Sequence, residues 1–99
     1  MSEQDKRNEA FRQIADSFIA DANKHCDDHD KDLVAASLLY STARFSAYIA
    51  ASGSKDLSAY QANRKNAIDY FTKQFKDRLE ENLNDYETGF KPTEAANDW

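Results

Sequence analysis

The densest group of side chains that could do chemistry is His25, Cys26, Asp27, Asp28, His29, Asp30 and Asp32. Imidazole, thiolate and carboxylate all ligate transition metals. If one helix continues through this stretch, His25 and His29 stand four residues apart on the same face. A zinc or nickel site built on His25, Cys26 and His29 is therefore chemically open. Against it, closed sites take four protein ligands, and the chain has no histidine beyond these two. The structural alternative is an acidic helix–helix loop around a partly buried thiol, and it carries more weight. A Cys–His nucleophile is weaker still. Neighbouring helical residues point in different directions, and no stretch has the form of a catalytic cysteine motif. A free cysteine is usually just packed.

Two arginines form a second candidate, Arg44 and Arg64. Arg44 interrupts an otherwise uncharged segment, and Arg64 falls within an apolar stripe. Either guanidinium could hold an anionic ligand as a two-pronged fork. The favoured reading is structural, with each pairing to an acid across the helices, such as Asp16 or Asp21. Adjacent carboxylates such as Glu80 with Glu81, or Asp27 with Asp28, face apart on a helix and sit in polar stretches. They do not suggest acid–base catalysis. Two isolated glycines, Gly53 and Gly89, cannot make a phosphate-cradling loop. No catalytic arrangement emerges and no cofactor is implied, so the expectation is a protein that is not an enzyme.

The composition bounds the partners. A formal net charge of −5 gives no electrostatic footprint for a nucleic-acid backbone. It gains nothing from an anionic membrane surface either. The aromatic residues Tyr40, Phe45, Tyr48, Tyr70, Phe71 and Phe75 accordingly suit core and interface better than base stacking, which comes with basic grooves. A single cysteine allows no internal disulfide. The charged N-terminal stretch Met1 to Phe11 lacks the apolar core of a secretion signal. The cytoplasm is the expected compartment.

The elements that must position these groups are helices. One proline, two glycines and a single valine leave strands without their usual residues. Ser2 with Asp5 has the form of a capping box opening a first helix. Phe11, Ile14, Ala15, Phe18, Ile19 and Ala22 then recur at three- and four-residue spacing, as far as Cys26. A second helix follows Asp30, a good N-cap, and runs to about Ser52, with Gly53 placed to terminate it. Its main stripe is Val34, Leu38, Ser41, Phe45, Ile49 and Ser52. The opposite side holds Ala36, Leu39, Ala43, Ala47 and Ala50, with no charge among them. Its length is close to that of a membrane span. Arg44 at its middle, costing about 2.5–3.5 kcal/mol on insertion scales, argues against one. A third helix starts at Ser54 or Asp56. It carries Leu57, Tyr60, Ile68, Phe71, Phe75, Leu79, Leu83 and Tyr86 at helical spacing to Gly89. Lys65, Asp69, Lys73, Asp77 and Glu81 lie four apart on its solvated side. The polar run Asn63 to Asn66 could break it in two. Residues 1–90 form one helical domain, and 91–99, with Pro92, reads as a flexible tail.

These elements predict an all-α fold, an antiparallel three-helix bundle with a long third helix. Such a bundle has no centre for a helix that is apolar or small all round. The alanine face needs a further neighbour, and small residues let a second backbone come close. The lengths also mismatch: about 35 Å, about 30 Å and, if unbroken, about 45 Å for the third helix. Its overhanging end would carry Leu79, Leu83 and Tyr86, an apolar patch of the sort that marks interfaces. The expected partner is a second copy or another protein, with neither nucleic acid nor membrane involved. The interface residues would be Ala36, Ala43, Ala47, Ala50, Leu79, Leu83 and Tyr86.

Two runs carry a family resemblance. Residues 37–52, Ser-Leu-Leu-Tyr-Ser-Thr-Ala-Arg-Phe-Ser-Ala-Tyr-Ile-Ala-Ala-Ser, are one. Residues 67–71, Ala-Ile-Asp-Tyr-Phe, with 79–86, Leu-Glu-Glu-Asn-Leu-Asn-Asp-Tyr, are the other. Together they resemble a family of short bacterial proteins classified as a domain of unknown function. That resemblance implies an all-helical fold and a bacterial cytoplasmic source, and transfers no catalytic residue. The functional expectation is a self-associating helical interaction or structural module. The alternative is a metal- or small-ligand-binding helical protein using His25, Cys26 and His29, or Arg44 and Arg64.

Overall fold

A computed structural model describes residues 2–90, and the expected tail 91–99 lies outside them. Three helices are present: α1 (Glu3–His25), α2 (Lys31–Ser52) and α3 (Leu57–Gly89). The described residues contain no strand. The fold is thus all-α with three helices, the last the longest at 33 residues.

Local chemistry sets each boundary. Ser2 Oγ accepts the Asp5 amide at 3.0 Å, and an Asp5 oxygen reaches back to the Ser2 amide, completing the capping box. Asp30 opens α2 by accepting the Leu33 amide at 2.8 Å, and Asp56 opens α3 by accepting that of Ala59 at 2.8 Å. The end of α2 differs from the expected glycine stop. Gly53 takes no left-handed conformation, and no described residue has a positive φ. Its amide still donates to the Ile49 carbonyl at 3.1 Å, so the helical pattern outlasts Ser52 by one bond. Hydroxyls add further donors to the carbonyls of this last turn. Ser52 Oγ donates to Ile49 and Ser54 Oγ donates to Ala50 at 3.0 Å.

The chain divides into two compact units, Met1–Ala47 and Tyr48–Trp99. In the first, α1 and the greater part of α2 lie antiparallel. Their shared cleft is lined from Phe18 up to His25 on one side and from Ser41 down to Leu33 on the other. The close approach uses small side chains: Ala15, Ala22 and Cys26 are half-buried on α1, and Val34 is the one buried residue among those described. In the second unit, the last turn of α2 and the loop to α3 join α3 itself. Ala50, Ser54, Ala59, Tyr60, Ala67 and Phe71 are its half-buried apolar or hydroxyl positions.

Helix α3 passes through Asn63–Asn66 without a break. The side chains of those two asparagines meet at 3.5 Å across one turn. Asparagine costs a helix no more than about 0.7 kcal/mol each, and four ion pairs further along support it. Lys65–Asp69 and Lys73–Asp77 close at 2.7 and 2.9 Å, Arg78–Glu81 at 3.3 Å and Lys76–Glu80 at 3.6 Å. The first two are the pairs that the four-residue spacing foretold. Exposed pairs of this kind contribute only about 0.3–0.5 kcal/mol each. The Lys73 ammonium donates to Asp77 and holds its carboxyl below the usual range. Partial desolvation opposes this, and the charges of Lys73, Arg78 and Lys76 reinforce it.

Asp30→Ala or Asp56→Ala removes a cap and costs about 1 kcal/mol, or some 4–8 °C in melting temperature for a domain of this size, as read by circular dichroism. Gly53→Ala, whose methyl meets the Ile49 and Ala50 carbonyl oxygens at 3.5 and 3.9 Å, ordinary van der Waals contact, with no left-handed backbone to satisfy, leaves the melting temperature within about 2 °C, on the same scale. Asp77 titrates at lower pH than an ordinary aspartate, so its contribution is present above the normal carboxylate range and fades as pH falls through the depressed value. Lys73→Ala moves the Asp77 carboxyl resonance midpoint upward in an NMR titration, and an unmoved midpoint removes Lys73 as the cause.

Candidate functional site

A cleft of about 520 Å³ lies between α1 and α2 in the first unit. Phe18, Ala22, Leu33, Val34 and Leu38 make its apolar floor and walls. Asp21, His25, His29, Ser37 and Ser41 supply polar atoms along it. Its geometry follows from local sequence. The five residues from Cys26 to Asp30 turn the chain, with His29 donating its amide to the His25 carbonyl at 3.0 Å, so both imidazoles border one opening.

Of the residues singled out as metal ligands, His25 and His29 are thus neighbours on the cleft. Cys26 is the C-cap of α1 and is half-buried, and it does not line the cleft. Among the described residues no three His, Cys, Asp or Glu side chains form a group able to hold a metal ion. Asp21 was not singled out for this cleft by the sequence reading. Its position one turn before His25 on the same helix face was the available signal.

The two arginines depart from the structural pairing expected of them. The ion pairs among the described residues all fall within α3, and neither Arg44 nor Arg64 takes part. Both residues are exposed. A guanidinium that stays in water has no desolvation cost to offset, so nothing compels it to find a carboxylate. Neither arginine lines the cleft.

The remaining candidates are surfaces. On α2, Ala36, Ala43 and Ala47 are exposed and Ala50 is half-buried. Leu39, on the same face, is 53% exposed. This face lies opposite the one turned to the cleft. The hydroxyls of the helix are turned inward on themselves. Ser37 Oγ donates to the Leu33 carbonyl and Thr42 Oγ1 to the Leu38 carbonyl, both at 2.9 Å. Such back-bonding spends the donor of each hydroxyl on its own helix and leaves α2 more apolar than its composition suggests. By length and composition α2 is long and apolar enough to cross a bilayer, with a mean hydropathy of 1.2 over its most apolar window. Arg44 stands inside it.

On α3, Ile68, Phe75, Leu79, Leu83 and Tyr86 are each between 44% and 54% exposed. They form one continuous stripe. Asp77 and Lys73 lie on the opposite face, as a 100° step per residue requires.

A family model described as "Protein of unknown function (DUF3144)" matches residues 11–87, from the first apolar residue of α1 to the last turn of α3. No curated protein and no solved structure matches the chain.

Proposed function

The chain belongs to the DUF3144 family of proteins of unknown function, and we propose that it is a non-enzymatic helical module that works by self-association. One observation carries the reading. Among the described residues Val34 alone is buried, while the stripe residues of all three helices stay largely in contact with water. Phe11 is 68% exposed and Phe18 58% exposed. Each large apolar side chain left in water forgoes about 1.5–3 kcal/mol of burial. A contiguous set of them is the usual mark of a surface that another protein covers. The alanine face of α2 (Ala36, Ala43, Ala47, Ala50) admits a close backbone, and Leu79, Leu83 and Tyr86 supply bulk at the far end of α3. Symmetric copies of the same chain are the commonest partners for such surfaces.

An acidic chain working through apolar faces fits a cytoplasmic protein without nucleic-acid or membrane partners and without a cofactor. For α2, Arg44 supports a protein neighbour over a lipid one, because a cation at mid-span is costly in hydrocarbon.

A second reading, a small-ligand or metal protein, draws on the cleft. Its volume of about 520 Å³ falls within the usual range for ligand pockets, and it has the customary few polar groups on an apolar lining. His25 and His29, with Cys26 beside them, would be the contacts for a metal. A ligand that prefers the native state raises its melting temperature. Zinc or nickel titration therefore separates the two readings. A rise that disappears in His25→Ala favours the second reading, and no shift with any common divalent metal removes the metal version of it.

The direct test is solution mass, by light scattering on a sizing column over a range of concentrations. A dimer or larger species is expected. Ala43→Glu, which places a charge on the alanine face at no cost to the hairpin, is expected to shift the mass toward the monomer by at least tenfold in dissociation constant, about 1.4 kcal/mol. A monomer at every concentration defeats the self-association reading.

A further inference from the structure

We propose that α3 pairs with α3 of a second copy, antiparallel, about a two-fold axis level with residue 77. The inference deepens the self-association reading and rests on it. Its starting point is the stripe itself. Ile68, Phe71, Phe75, Leu79, Leu83 and Tyr86 are separated by three, four, four, four and three residues. That series reads the same in both directions. Turned end for end, the stripe sets Ile68 opposite Tyr86, Phe71 opposite Leu83 and Phe75 opposite Leu79, with every member matched. A two-fold interface demands this kind of self-complementarity, in which residue i meets j and j meets i. Slipping the register by one turn leaves an unmatched residue at each end.

Charge selects the same orientation. Between residues 65 and 78, Lys65, Lys73, Lys76 and Arg78 outnumber Asp69 and Asp77. Between residues 79 and 87 the charges are Glu80, Glu81, Asp85 and Glu87, with no cation. Antiparallel pairing lays the basic half of one helix along the acidic half of the other. Parallel pairing would set like on like, which is unfavourable. At the edge of the stripe, Lys76 of one copy falls near Glu80 of the other, and Lys65 near Glu87.

The stripe is also available and large enough. Apart from the half-buried Phe71, its members are each between 44% and 54% exposed. Five half-exposed side chains, each offering about 100 Å², give about 500 Å² per copy. That is about 1,000 Å² in total with both copies counted, where specific interfaces begin.

The test separates this pairing from self-association in general. Asn66 lies on the face away from the stripe. A spin label on Asn66→Cys in a Cys26→Ser background reports the distance between copies by pulsed dipolar spectroscopy. Antiparallel pairing about residue 77 separates the two positions by 22 residues along the axis, about 33 Å, in addition to the width of the pair, whereas parallel pairing leaves only that width, about two helix diameters or 20 Å. Leu79→Glu, checked for an unchanged helical spectrum, is expected to raise the dissociation constant more than tenfold. Should it unfold the chain, Leu83→Glu replaces it, and the label distance does not depend on either. An oligomer with a short label distance, or one indifferent to both substitutions, overturns the α3 pairing and leaves self-association standing. A monomeric wild type overturns both.

Discussion

A helix that is apolar or small all round is normally buried on more than one side, and α2 is close to such a helix. Its Val34 face meets α1 and contributes the one buried residue described. Its alanine face is exposed over Ala36, Ala43 and Ala47. Off that face, Ser37 in the cleft and Thr42 on the flank donate to carbonyls of their own helix. What the alanine face presents is mostly methyl. Water is a poor neighbour for such a face, and the rest of the molecule is arranged around that fact.

The α1–α2 hairpin shows how the chain handles the same problem where it can. Ala15, Ala22 and Cys26 are small, so the two backbones come close. Close approach at small residues leaves the large ones, Phe18 and Leu38, splayed to either side, and the space between them is the cleft. Asp21, His25 and His29 sit at its rim because the five-residue turn after His25 brings the chain back beside its own last turn. The cleft is a by-product of packing small against small, and its polar rim a by-product of a tight acidic loop.

Much of this was legible in the sequence, and the legible part is local. The Ser2–Asp5 box and the caps Asp30 and Asp56 involve partners three residues apart, a distance that sequence displays directly. The Lys65–Asp69 and Lys73–Asp77 pairs are one turn apart and equally visible. The unbroken course of α3 through Asn63–Asn66 was left open because asparagine is only mildly unfavourable in a helix, and the deciding support comes from turns further along. The end of α2 was read for the right residue and the wrong reason. Glycine suggests a left-handed stop, yet its own amide still donates to Ile49, with serine hydroxyls donating to the Ile49 and Ala50 carbonyls. The pairing expected of Arg44 and Arg64 failed because it assumed that they leave water. How deeply a side chain is buried is a tertiary property, and spacing alone does not report it.

Exposure also bears on what kind of function is available. Catalysis by charge or by a tuned acid and base relies on groups held where water is excluded, because only there are fixed dipoles strong. Among the described residues no polar side chain is buried. The cleft is rimmed by Asp21, His25 and His29, and the first and last of its lining residues remain open to solvent. The described polar groups of one chain thus stand in or near water. In the proposed self-association, an interface covering the stripe of α3 or the alanine face of α2 is where water would be excluded. Recognition at such an interface would draw on residues that in one chain stand apart in solvent.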